Sequence, residues 1–111
     1  MNRRQRGRES EKIVADYLVR HGFDTAHVTS MAASGSDVLG VEGVDFEVKA
    51  RAGIPISETM AQLKRRRREV GLGVGVLRLN GQGEKAIGDW VAILTFDDFI
   101  HLLKAAGYGS R

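Results

Sequence analysis

Val44-Asp45-Phe46-Glu47-Val48-Lys49-Ala50 alternates apolar and polar residues with the two-residue period of a half-buried strand. Phe46 and Val48 are assigned to one face, Glu47 and Lys49 to the other. Upstream, Asp37 to Val41 reads as a second strand, and Glu42-Gly43 joins the two as a hairpin. Register then decides which carboxylates meet. A two-residue turn with straight strands sets Asp37 opposite Val48 and on the wrong face. A three-residue loop with Gly43 in a left-handed bulge, or a bend that re-aims Asp37, pairs it with Glu47. The odd loop or the bend is therefore expected.

The pattern Asp37-x9-Glu47-Val48-Lys49 places three charged groups on a segment that otherwise reads as sheet. Residues two apart on a strand lie roughly 6 to 7 Å apart on one face. A hard cation such as Mg²⁺ takes oxygen ligands and keeps several waters, so the carboxylates of Asp37 and Glu47 with the carbonyl of Val48 make a sufficient set. Lys49 then orients a nucleophile or offsets charge developing on a phosphodiester. The plainer alternative is a solvated sheet face in which this spacing arises by chance.

A helix over residues 9 to 21 carries Val14, Ala15, Leu18 and Val19 as a stripe, with Glu11 projecting into it and Glu9 turned to water. An acid aimed at a core is costly unless it is paired or bound to metal, which makes Glu11 the helix residue of the site. Against this stands the helix macrodipole, which favours a solvated acid in the first turn. Ile13 and Tyr17 fall off the stripe, so the helix face is broader or packs on two sides.

Gly22 stops this helix, and residues 23 to 29 form a strand. A small polar loop from Ser30 to Ser36 precedes the hairpin. Ser57 caps a helix running to Val70, with Met60, Leu63, Arg67 and Val70 along one side and Gln62 within reach of the site. Strands at residues 74 to 79 and 90 to 94 flank the turn Asn80-Gly81-Gln82-Gly83. Thr95 caps a last helix that packs Phe99, Leu102 and Leu103 and ends at Gly107. Trp90 and Phe96 are assigned to the core or to a subunit interface. One Trp, two Tyr and four Phe are too few for an aromatic platform that stacks single-stranded bases.

At 111 residues without an internal repeat or linker, the chain is one domain, residues 1–111, with residues 1–8 expected as a flexible basic arm. No apolar run approaches the ~18 to 20 residues that cross a bilayer, and the start has no signal-peptide core, so a cytoplasmic protein is expected. The absence of cysteine excludes disulfides and thiolate sites. His21, His27 and His101 lack ligand spacing, which argues against zinc. The net charge of +3, with a pI near 9.6, is concentrated in two clusters. Arg3, Arg4, Arg6 and Arg8 form one, and Lys64-Arg65-Arg66-Arg67-Arg68 the other. Arg4, Arg6, Arg8, Arg51, Lys64, Arg65, Arg66 and Arg68 are assigned to phosphate contact, since such a run repels itself without an anion. A purely solvated face is the alternative.

Taken in order, Gly7-x3-Glu11, Arg20-His21-Gly22-Phe23, the Ser/Gly loop, Asp37 and Glu47-Val48-Lys49 resemble the archaeal-type Holliday junction resolvases of the PD-(D/E)xK nuclease superfamily. The likeness runs from about Gly7 to the Trp90 strand. It implies an α/β, restriction-endonuclease-like core, a mixed sheet of about five strands flanked by helices in the order α-β-β-β-α-β-β-α. It implies an active site of Glu11, Asp37, Glu47 and Lys49, with Ser34 as a functional loop serine and Ser30 next in rank. Mg²⁺ is the implied cofactor, with Mn²⁺ as a substitute and no small-molecule cofactor, and Glu11 joins Asp37, Glu47 and Val48 around it. The implied activity is paired hydrolysis of four-way DNA junctions by a homodimer, a two-fold enzyme on a two-fold substrate. Ser36 stands where the superfamily name has proline. Two other functions stay open: a related nickase, repair or restriction-like nuclease on duplex or flap DNA, and a non-catalytic nucleic-acid-binding protein.

Overall fold

In the computed structural model the described residues are 2–29, 37–50, 53 and 55–109, with the backbone alone from 66 to 70. The elements run α1 (Arg3–Arg20), β1 (His27–Val28), β2 (Val38–Val41), β3 (Val44–Lys49), α2 (Ile56–Val70), β4 (Leu72–Leu77), a 3₁₀ segment (Glu84–Asp89), β5 (Val91–Ile93) and α3 (Phe96–Ala105). The five strands form one mixed sheet in the order β1-β2-β3-β4-β5. Among the described residues only β3 and β4 are parallel, which requires the α2 crossover between them. The α/β class, the mixed five-stranded sheet and the element order agree with the sequence reading, to which the 3₁₀ segment adds one element.

The two faces of β3 are covered by different helices. Phe46 and Val48 join Val38, Trp90 and the α1 residues Ile13, Val14 and Ala15 in the main apolar core. On the other face, Asp45, Glu47 and Lys49 lie beside Gly73, Gly75 and Leu77 of β4. A Cβ on Gly75 would fall 3.3 Å from Thr59 Cγ2 of α2 and 2.8 Å from Ile93 Cγ1, so α2 settles over a glycine floor. The face that alternation marked as polar is thus covered: Asp45 and Glu47 are buried. β3 is a central strand closed on both sides, which period-two patterning alone does not distinguish from a half-exposed one.

Several boundaries differ from expectation. The chain from Arg3 to Arg8, expected as part of a flexible arm, is the first third of α1. Asn2 and Gln5 form a reciprocal capping box, and Arg6 Nε donates to the Ala50 carbonyl at 3.0 Å, tying the helix start to the end of β3. The α1 stripe is rotated from the expected one: Ser10 and Ile13 are buried and Val19 is exposed. The expected strand over 23–29 shrinks to His27–Val28, since Phe23 is exposed and Gly22 adopts φ 98°. Ser57 lies inside the first turn of α2, which begins at Ile56, rather than capping it. Thr95 does cap α3, accepting from the Asp98 N–H at 3.1 Å.

Candidate active site

The register of the hairpin sets the site. Val41 pairs with Val44 across a two-residue turn, whereas Val38 pairs with Phe46, so one residue is absorbed in between. The slip is a bend within β2, and the expected three-residue loop is absent. Gly40 has φ 93°, and a Cβ there would lie 1.9 Å from the Thr25 carbonyl oxygen, so only glycine lets the strand turn against the segment entering β1. Beyond the bend Asp37 is held by both its backbone and its side chain. Its N–H donates to the Phe46 carbonyl at 2.9 Å, and its Oδ2 accepts from the Val48 N–H at 2.7 Å. The Asp37 carboxylate therefore stands in for a strand neighbour of Val48, just before β2 begins at Val38.

Glu11 approaches Asp37 from the α1 side. Burial first, and the Asp37 charge second, push its carboxyl up to about 7, against the opposing pull of Arg8. Glu9, expected in water, instead pairs with the buried guanidinium of Arg78 at 2.9 Å. Arg78 also donates to Ser10 Oγ and to the Gln82 carbonyl, and it stacks on the Trp90 ring. This network anchors the α1 turn that carries Glu11 to the end of β4. Arg78 escaped the sequence reading, although a lone cation closing the run Leu72 to Leu77 was its available signal.

Glu47 lies on the α2 side of β3 and is 4% exposed. Its Oε1 atom is buried and accepts no hydrogen bond among the described residues, as is Gln62 Oε1 on α2. Glu47 is not without a partner. Lys49 is half-buried and lines an open cleft of about 560 Å³ with Arg3, Arg4, Gly7, Val48 and Ala50. The basic start of α1 thus faces the C-terminal end of β3, the position at which open α/β sheets hold ligands. Arg3, left out of the phosphate-contacting set, belongs on this wall.

The structure brings Glu11 and Asp37 together and seats Lys49 on the cleft, whereas Glu47 lies on the α2 face of β3, opposite the side from which Glu11 approaches. Among the described residues, no three acids or histidines converge tightly enough to form a ready-made metal cage. The two carboxylates of Glu11 and Asp37 nevertheless fit Mg²⁺, which commonly takes one or two carboxylates and keeps its waters. The Val48 N–H donates to Asp37, a role the sequence reading did not assign to this residue. Arg6 is committed in part to the Ala50 carbonyl, and Arg8, Lys64 and Arg65 are exposed. Ser30, Ser34 and Arg51, and the side chains of Arg66 and Arg68, lie outside the described residues.

No described helix is long and apolar enough to cross a membrane. The chain matches no family model, no curated protein and no solved structure.

Proposed function

We propose that the protein is a Mg²⁺-dependent, structure-selective endodeoxyribonuclease of restriction-endonuclease-like fold, acting in the cytoplasm as a homodimer on four-way DNA junctions. The observation that carries this reading is the meeting of Glu11 and Asp37, brought from a helix and a bent strand to one end of the central strand. Burial, and then the neighbouring Asp37 charge, hold a proton on Glu11 near neutrality, an arrangement that a divalent cation relieves. Mg²⁺ bound there would supply charge neutralisation for a phosphodiester and a water of lowered pKa, and Mn²⁺ would be a natural substitute.

The chain's own residues do the rest. Glu11 and Asp37 would hold the cation, with Glu47 the third acid proposed for it, and Asp37 is fixed for that task by the Val48 N–H. Lys49, on the cleft wall, orients the attacking water or offsets charge on the phosphate oxygens. Arg3 and Arg4 across the same cleft bind neighbouring phosphates, so recognition rests on backbone charge and branch shape.

The test is incubation of labelled four-way junction, flap and linear duplex DNA with the protein in Mg²⁺ and then in chelator, with Glu47→Ala as control. Paired symmetric nicks in the junction alone are expected. Cutting of flap or duplex instead would assign the same chemistry to a nickase or repair enzyme. DNA binding without metal-dependent cutting would leave a non-catalytic binder, and cutting that survives Glu47→Ala would remove the proposed site.

A further inference from the structure

Glu11 lies in α1 and Lys49 ends β3, so the separation of these two side chains is set by tertiary contacts rather than by either element alone. The joint between the elements is built around Arg78, the residue that follows β4. Its N–H donates to the Lys49 carbonyl at 2.8 Å, which extends the parallel pairing of β3 with β4 by one more bond. Its guanidinium reaches α1, where Nη1 donates to Glu9 Oε1 and to Ser10 Oγ, each at 2.9 Å. Glu9 and Ser10 are the two residues immediately before Glu11. One residue thus holds the lysine's strand by its main chain and the acid's helical turn by its side chain.

A second path closes the ring. Ser10 is fully buried, and its hydroxyl donates in turn to the Arg6 carbonyl at 2.7 Å. Arg6 Nε donates to the carbonyl of Ala50, next to Lys49. Arg78, Ser10, Arg6 and the end of β3 therefore form a closed circuit of hydrogen bonds that passes between helix and sheet twice. Such a circuit fixes both a distance and an angle, where a single contact leaves a hinge.

The guanidinium itself is clamped. Its Nε is held by the Gln82 carbonyl at 2.9 Å, its central carbon lies 5.1 Å from the centre of the Trp90 ring, and the residue is 5% exposed. It is too enclosed to meet a DNA phosphate. A buried ion pair is often no more stabilising than packed apolar side chains of the same volume. What the planar fork adds is donors in fixed directions, which an apolar contact does not have.

We infer that Arg78 is a positioning residue for the candidate site: through Glu9 and Ser10 it sets the Glu11 carboxylate against Asp37, and through the Lys49 carbonyl it fixes the strand end that carries the lysine. This rests on the proposed nuclease reading.

The test uses Ser10→Ala, which opens the circuit by one hydroxyl while keeping Arg78 and Glu9, and Arg78→Lys, which keeps the charge and removes the fork. Circular dichroism and urea unfolding verify that each variant is folded. Mn²⁺ titration followed by electron paramagnetic resonance, and junction cleavage with kcat and KM separated, are the readouts. Each variant is expected to bind Mn²⁺ about tenfold more weakly and to lose at least about tenfold in kcat, with KM for the junction unchanged. In a Glu11→Gln background, Ser10→Ala should weaken Mn²⁺ binding no further, because the carboxylate it positions is already absent. A general loosening of the fold would instead weaken binding by the same factor in both backgrounds, and that result would overturn the inference. So would wild-type Mn²⁺ affinity and kcat in both folded variants, or a change confined to KM, which would make Arg78 a DNA contact. In each of those cases the wild type still binds the ion and cuts, so the nuclease reading survives; a wild type that does neither ends both.

Discussion

Glu11→Gln should stabilise the isolated protein at alkaline pH and have no such effect in acid. The Glu11 carboxyl titrates at about 7 in the folded protein against an ordinary value of 4.5. The folded state therefore holds this proton more tightly than the unfolded chain, and stability falls as pH rises between those two values. Below about 4.5 the group is protonated in both states and no penalty exists; above about 7 the penalty is complete. Taken at ~1.4 kcal/mol per unit, the shift corresponds to about 3 kcal/mol. Glu11 is only half-buried, so solvent screening reduces this to about 1–2 kcal/mol. Urea unfolding followed by the fluorescence of the buried Trp90 measures the difference directly. Glu11→Gln should gain that amount at pH 8 and nothing near pH 4. Added Mg²⁺ should stabilise the wild type more than the variant, since the cation would neutralise a carboxylate that glutamine lacks. An equal change at both pH values, or a loss at pH 8, would refute the electrostatic reading of the Glu11–Asp37 pair.

Three further outcomes follow from the same geometry. Arg78→Ala should lower stability by about 3 kcal/mol in denaturant titration, because a buried guanidinium with three hydrogen-bond partners and a stacked Trp90 is lost; Arg78→Lys, without the fork, should recover little of it. Gly40→Ala should cost more than about 2 kcal/mol, since φ 93° and the Thr25 carbonyl both oppose a Cβ, and amide exchange should show the Val48 N–H losing protection as Asp37 shifts. Lys49→Ala should abolish junction cleavage in a gel assay while leaving the fold and binding to DNA near wild type, because Lys49 lies on the cleft wall and only in part within the core.

The fold was legible where local chemistry and tertiary packing agree. Alternation at Val44 to Lys49 fixed which side chains of β3 share a face, and Thr95 with Asp98 marked the start of α3. Asn2 and Gln5 carried a capping-box spacing that announces the true start of α1, but the arginines between and after them read as a charged arm. The site was legible in part. Glu11 could be placed inward by helical periodicity, and the need for a bend before Asp37 followed from the parity of the hairpin. Its location at Gly40 did not, because a glycine in a short strand marks a bulge, a close approach or neither until its neighbour Thr25 is in place. Glu9 was misread because its partner Arg78 lies far along the chain, and pairing at that range leaves no local pattern. Phe99 and Leu102, expected to pack in α3, are exposed, because an apolar stripe in a sequence does not say which of its residues meet the body of the protein.

The proposed function turns on whether the acids at the end of β3 take up a divalent cation. Titration of the wild-type protein, Glu11→Gln and Asp37→Asn with Mn²⁺, followed by the loss of the free ion's electron paramagnetic resonance signal, measures this without any substrate. The wild type is predicted to bind the ion and both variants to bind it at least tenfold more weakly. Equal binding by all three proteins, or none by the wild type, would contradict it.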